Sequence, residues 1–118
     1  MTEPTWTLTT RAGSHVERVH LGTLEEALAA LETRVAELTP GASREEVRFM
    51  SRRIEPARQV AARLEIASSG GRRGSVRGGV DLRGDGSTEA FTGRVRRTVV
   101  ERRRGESASD ALRRALAT

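Results

Sequence analysis

Ten arginines fall between Gly70 and Arg104 of this chain: Arg72, Arg73, Arg77, Arg83, Arg94, Arg96, Arg97, Arg102, Arg103 and Arg104. Guanidinium groups at this density do one kind of chemistry well, which is gripping phosphate or carboxylate oxygens through paired N–H donors. Only four carboxylates share the segment, Asp81, Asp85, Glu89 and Glu101, whereas residues 1–69 balance nine arginines against ten acids. The chain's formal charge of +5 is therefore concentrated in one stretch. The use of arginine to the exclusion of lysine has two readings, the better fit of the guanidinium fork to phosphate and carboxylate, and GC-rich, bacterial-like coding. The second is the reading expected, but coding bias does not cluster charge. The ten arginines are the candidate contacts for an acidic partner, with nucleic acid the first expectation and an acidic protein the other.

Other chemistries find little support in the residues. Cysteine is absent, which removes disulfides, thiolate metal sites and thiol nucleophiles. His15 and His20, five apart on a strand, project to opposite faces and cannot share a metal. Asp81-Leu82-Arg83-Gly84-Asp85-Gly86 has Arg83 and Thr92 where a calcium loop needs an oxygen ligand and a glutamate. The Arg83-Gly84-Asp85 tripeptide reads as part of a turn. Gly74-Ser75-Val76-Arg77-Gly78-Gly79 lacks the glycine spacing of a dinucleotide loop. No serine lies in a nucleophile-elbow pattern. The expectation is a non-enzyme with no cofactor and no metal.

The arginines need elements to position them. Val76, Gly78, Val80 and Leu82 alternate against Arg77, Asp81 and Arg83, and Asp85-Gly86 is a strong hairpin-turn signal. On the return strand the alternation places Phe91, Gly93 and Val95 inward and Thr92, Arg94 and Arg96 outward. Single-strand nucleic-acid binding also needs stacking aromatics on the basic face, and an inward Phe91 leaves none there. An N-terminal hairpin is expected from Trp6, Leu8 and Thr10 on one face, a Gly13-Ser14 turn and a return strand from His15 to Leu21. Thr23-Leu24-Glu25-Glu26 forms a capping box for a helix whose stripe is Leu24, Ala27, Leu28, Leu31, Val35 and Leu38. Pro40-Gly41 should end it. Val47 and Phe49 read as strand neighbours, and Gln59 to Ala67 as a strand with Val60, Ala62, Leu64 and Ile66 inside. Ser107 and Asp110 open a closing helix with Ala108, Ala111, Leu112, Ala115 and Leu116 on its apolar side.

The expected fold is α+β: an antiparallel sheet of about five strands with two helices on one face, in the order β-β-α-(β)-β-β-β-α, as one domain over residues 5–118 after a disordered 1–4. From Leu24 onward the order helix, three strands, helix resembles the double-stranded-RNA-binding domain, which grips phosphates with a basic cluster at the start of its second helix. Here that helix opens on the acidic Glu106 to Asp110, and the arginines precede it. Met1-Thr2-Glu3-Pro4 has no signal-peptide character and no stretch is long and apolar enough to span a membrane, so a cytoplasmic protein is expected. Trp6, Phe49 and Phe91 are the only rings, a thin aromatic core that makes a homodimer, or a subunit of a larger complex, the alternative to a nucleic-acid binder.

Overall fold

The computed structural model describes residues 5–50, 60–69, 77–93 and 96–116. It is an α+β fold of six strands and two helices in the order β1 (Trp6–Ala12), β2 (His15–Leu21), α1 (Leu24–Met50), β3 (Val60–Ser68), β4 (Arg77–Arg83), β5 (Thr88–Thr92), β6 (Thr98–Val100) and α2 (Ala108–Leu116). The strands lie side by side as β2-β1-β3-β4-β5-β6, every neighbouring pair antiparallel. α1 therefore carries the chain from the outer strand β2 past β1, so that β3 joins on the far side of β1.

Both helices lie on one face. Leu28 and Leu31 of α1, Ala111 and Leu112 of α2, and the sheet residues Leu8, Leu64, Ile66, Val80 and Leu82 form one buried cluster. The alternation that places Trp6, Leu8 and Thr10 together, and Ala62, Leu64 and Ile66 together, matches this face. Val60 does not join it: a register shift between Val60 and Ala62 leaves Val60 exposed.

The helix starts follow their caps. The Glu26 amide donates to Thr23 Oγ1 at 3.1 Å, and Ser107 and Asp110 exchange side-chain and backbone hydrogen bonds, each at 3.1 Å. The expected stop at Pro40 is overturned, and α1 runs on to Met50. Proline removes one backbone donor, the one that would reach the Ala36 carbonyl. Beside it the Thr39 hydroxyl donates to the Val35 carbonyl at 2.7 Å. Ala42, Arg44, Glu45, Glu46 and Met50 are strong helix formers, and one missing bond does not stop such a run. Val47 and Phe49 are helical as a result, and the strand expected around them is absent. Residues 51–59 and the expected disordered 1–4 lie outside the described residues.

At the other end a sixth strand appears. Gly93 adopts a positive φ of 95°, and a Cβ there would stand 2.3 Å from the Arg96 carbonyl oxygen, so the chain turns tightly instead of continuing the return strand. β5 stops at Thr92, and Thr98–Val100 pairs back against it. The segment from β6 to α2 is tied down by Glu106. Its carboxylate takes two bonds from Arg114, at 2.9 and 3.0 Å, and one from the Arg103 amide at 2.7 Å. The Arg114 guanidinium, chiefly, and the Arg103 amide hold the Glu106 pKa down at about 2.

Candidate anion-binding face

Both helices cover one side of the sheet, and among the described residues no element covers the other. Cross-strand register assigns that face. Thr7 pairs with His20 and Ala67, Thr9 with Arg18 and Glu65, and Arg11 with Val16 and Arg63. Ala67 pairs in turn with Arg77, Glu65 with Gly79, and Arg63 with Asp81, which face Phe91 and Glu89 on β5, and Phe91 faces Val99 on β6. The face thus carries Arg11, Arg18, Arg63, Arg77, Arg83 and Arg97 against Glu65, Asp81 and Glu89.

Half of that face is neutralised. Arg63 grips Asp81 with two bonds, Nε to Oδ1 at 2.6 Å and the terminal nitrogen to Oδ2 at 3.0 Å. These bonds raise the Arg63 pKa although partial burial works against it. Arg83 reaches Glu89 at 2.7 Å. Arg97 stands 3.6 Å from Glu65, a looser pairing. The turn between β4 and β5 is closed by Arg83 and Ser87 backbone groups at 2.8 Å, with Asp85 accepting from the Ser87 amide at 2.9 Å. The Ser87 hydroxyl, chiefly, and the Ser87 amide lower the Asp85 pKa, and the Asp85 of the Arg83-Gly84-Asp85 tripeptide belongs to this turn.

The other half is not neutralised. Arg11 and Arg18, both exposed, make no side-chain ion pair or hydrogen bond among the described residues, and the Nε of Arg77 is buried with no hydrogen-bond partner. The three surround a groove of about 300 Å³ whose walls also include Thr7, Thr9, Glu65 and Ser69. Arginine forks and hydroxyls converging on one concavity can bind the oxygens of a phosphate or carboxylate. Among the described residues Glu65 is the one acid in the groove, and Arg97 lies beside it.

The ten arginines expected to act together are therefore dispersed. Arg77 lines the groove, Arg83 is paired, and Arg97 lies over the Phe91 ring. Arg96 is exposed in the turn after β5, and Arg102, Arg103 and Arg104 are exposed between β6 and α2. Arg72, Arg73 and Arg94 lie outside the described residues, as do Val76 and Val95. Arg11, Arg18 and Arg63 were not among the ten, because they come from the charge-balanced half of the chain. For Arg11 and Arg63 the signal that could have found them is the alternation of β1 and β3, which sets them opposite the core residues; β2, which carries Arg18, has no such alternation.

Phe91 is corrected as well. It faces the open side, opposite Gly79, while its neighbour Ala90 enters the core. A glycine opposite leaves room for the ring to lie flat on the sheet. Arg63 and Arg97 cover it, at 5.7 and 5.2 Å from the ring centroid, and leave it 3% exposed.

His15 and His20 point to opposite faces as expected. His20 Nδ1 lies 3.1 Å from Thr7 Oγ1 and His15 Nε2 3.9 Å from Glu17. Among the described residues no three His, Asp or Glu side chains converge to hold a metal, and no helix is long and apolar enough to cross a membrane. A second concavity of about 120 Å³ lies between α1 and the start of α2, where Glu32 accepts from the Ser109 hydroxyl at 2.7 Å. Comparison with known protein families, characterised proteins and solved structures finds no match to this chain.

Proposed function

We propose that this chain is a non-catalytic, cytoplasmic module that binds nucleic acid on its helix-free sheet face. The observation that carries this reading is the groove in which Arg11, Arg18 and Arg77 lack carboxylate partners among the described residues while four hydroxyl-bearing residues, Thr7, Thr9, Ser68 and Ser69, share the same walls. Arginine forks match phosphate oxygens, and threonine and serine hydroxyls add neutral donors of the kind that contact nucleic-acid backbones. Six strands at a spacing of about 4.8 Å give the face a width of roughly 24 Å, enough to follow several phosphates.

Fluorescence anisotropy with a labelled oligonucleotide tests this. Affinity is expected to fall steeply as salt rises from about 50 mM, and replacing Arg11, Arg18 and Arg77 together by Gln is expected to make the log–log slope shallower by about 2, since each lost phosphate contact removes about 0.7 on a single strand. An unchanged slope would remove the groove from the contact surface. Polyglutamate that competes as well as the oligonucleotide would assign the face to an acidic protein instead.

One observation favours a second, compatible reading, that of a homodimer. The outer strand β2 is seven residues long and leaves Val16 and Val19 41% and 44% exposed, one on each face. An edge of that length with no second neighbour among the described residues is a template for another strand. Pairing β2 with β2 of another copy would double the open face, and sedimentation velocity at high concentration should then show a dimer; a monomer throughout excludes it.

A further inference from the structure

We infer that the nucleic acid this face takes is a single strand, one of whose bases lies on the Arg97 guanidinium where that group covers Phe91. The inference rests on the nucleic-acid reading above and specifies it. Apart from the His20 imidazole, Phe91 is the one aromatic ring on the open face among the described residues; Trp6 is buried on the helix side. An apolar ring on a polar surface needs cover, and two guanidinium groups supply it.

The two covers differ in how firmly they are held. Arg63 is locked by its two bonds to Asp81. Arg97 comes from the turn after β5, has as its one ion pair among the described residues the 3.6 Å contact with Glu65, and leaves 36% of its side chain exposed. Its Cζ lies over the ring at 5.2 Å from the centroid, and the exposed part of the group is what a ligand would meet. Nucleobases stack on guanidinium planes as they do on aromatic rings. Gly79 puts no side chain between Phe91 and Glu65, so the approach to this platform is flat.

The platform adjoins the groove. Glu65 both contacts Arg97 and lines the groove that holds Arg11, Arg18 and Arg77. The β5 ring and the β1 hydroxyls are three strand intervals apart, about 14 Å, so a base on Arg97 leaves its neighbouring phosphates within reach of the groove. A duplex keeps its base faces stacked inside and could use the groove alone. A single strand can use both.

Three ligands of equal length separate the cases: an oligothymidine strand, an abasic strand with the same phosphates, and a duplex. The oligothymidine is expected to bind roughly tenfold tighter than the abasic strand. Arg97→Lys keeps the charge and loses the plane, so it should abolish that preference while leaving the salt slope unchanged. Phe91→Leu, which keeps an apolar group beneath Arg97, should reduce the preference in the same direction. Equal binding of the abasic strand, tighter binding of the duplex, or a preference that survives Arg97→Lys would overturn the inference and leave backbone binding standing. Failure of all three ligands to bind at about 50 mM salt would overturn the nucleic-acid reading itself.

Discussion

Gly79→Ala is expected to disrupt the centre of the sheet. A Cβ at this position would stand 2.2 Å from the Leu64 carbonyl oxygen, 2.7 Å from Cζ of Phe91 and 3.1 Å from Cα of Glu65. The ring could swing aside, but the Leu64 carbonyl belongs to β3, which is paired on both sides by β1 and β4 and has nowhere to move. Overpacking that flexible side chains can absorb costs about 1–3 kcal/mol, and a clash with fixed backbone belongs at or above the top of that range. A loss of about 3 kcal/mol should lower Tm by roughly 10 °C or more in a chain of this size. Gly22→Ala is the comparator, because the nearest atoms there are the Glu26 carboxylate oxygens at 3.8 and 3.9 Å. Thermal melts followed by circular dichroism separate the two; a Gly79→Ala variant melting within about 2 °C of the parent would show that the sheet can open at this point.

The second large effect is expected at Asp81. Its side chain is nearly buried and its two oxygens bond Arg63, which is itself only partly exposed. Asp81→Leu removes the acceptor and strands a guanidinium against the sheet. Breaking a fully buried pair in this way costs about 3–5 kcal/mol, and since Arg63 retains some contact with water a loss of about 2 kcal/mol is expected. Arg63→Leu made in the same background should recover part of that loss, because removing both partners leaves no unpaired charge. Urea unfolding of the two single variants and the double variant measures the coupling. Strictly additive losses would mean that the pair contributes nothing beyond its separate parts.

These two sites show how the open face is organised. Gly79 leaves the floor on which Phe91 lies, and Asp81 fixes one of the two arginines that cover it. On this face the charge left over belongs to Arg11, Arg18 and Arg77, which have no carboxylate partner among the described residues; Arg96, Arg102, Arg103 and Arg104 are exposed and likewise make no ion pair among the described residues. A basic segment in the sequence is therefore an incomplete guide to the charge on the sheet face. Arg83 sits in the segment yet is neutralised by Glu89, while Arg11 and Arg18 lie outside it and stay unpaired among the described residues.

The sequence by itself determined what local chemistry determines. Thr23 and Ser107 mark the helix starts because their hydroxyls reach amides three residues on. Asp85-Gly86 and Gly13-Ser14 mark the hairpin turns. The alternation of Leu8, Leu64, Ile66, Val80 and Leu82 marks the core face, because side chains change sides with every strand residue. That was enough for the α+β class and both helices on one side. Pro40 misled because a breaker removes one hydrogen bond while the surrounding run supplies many. The tertiary structure alone decided the side on which Phe91 lies and which arginines remain unpaired. A strand shifted by one residue exchanges its two faces, so the partners on β4 and the turn at Gly93 set the orientation of Phe91. Arg63 meets Asp81 and Arg97 meets Glu65 only when β3 lies beside β4 and the chain folds back over β5, and those contacts are invisible to any count of charge along the sequence.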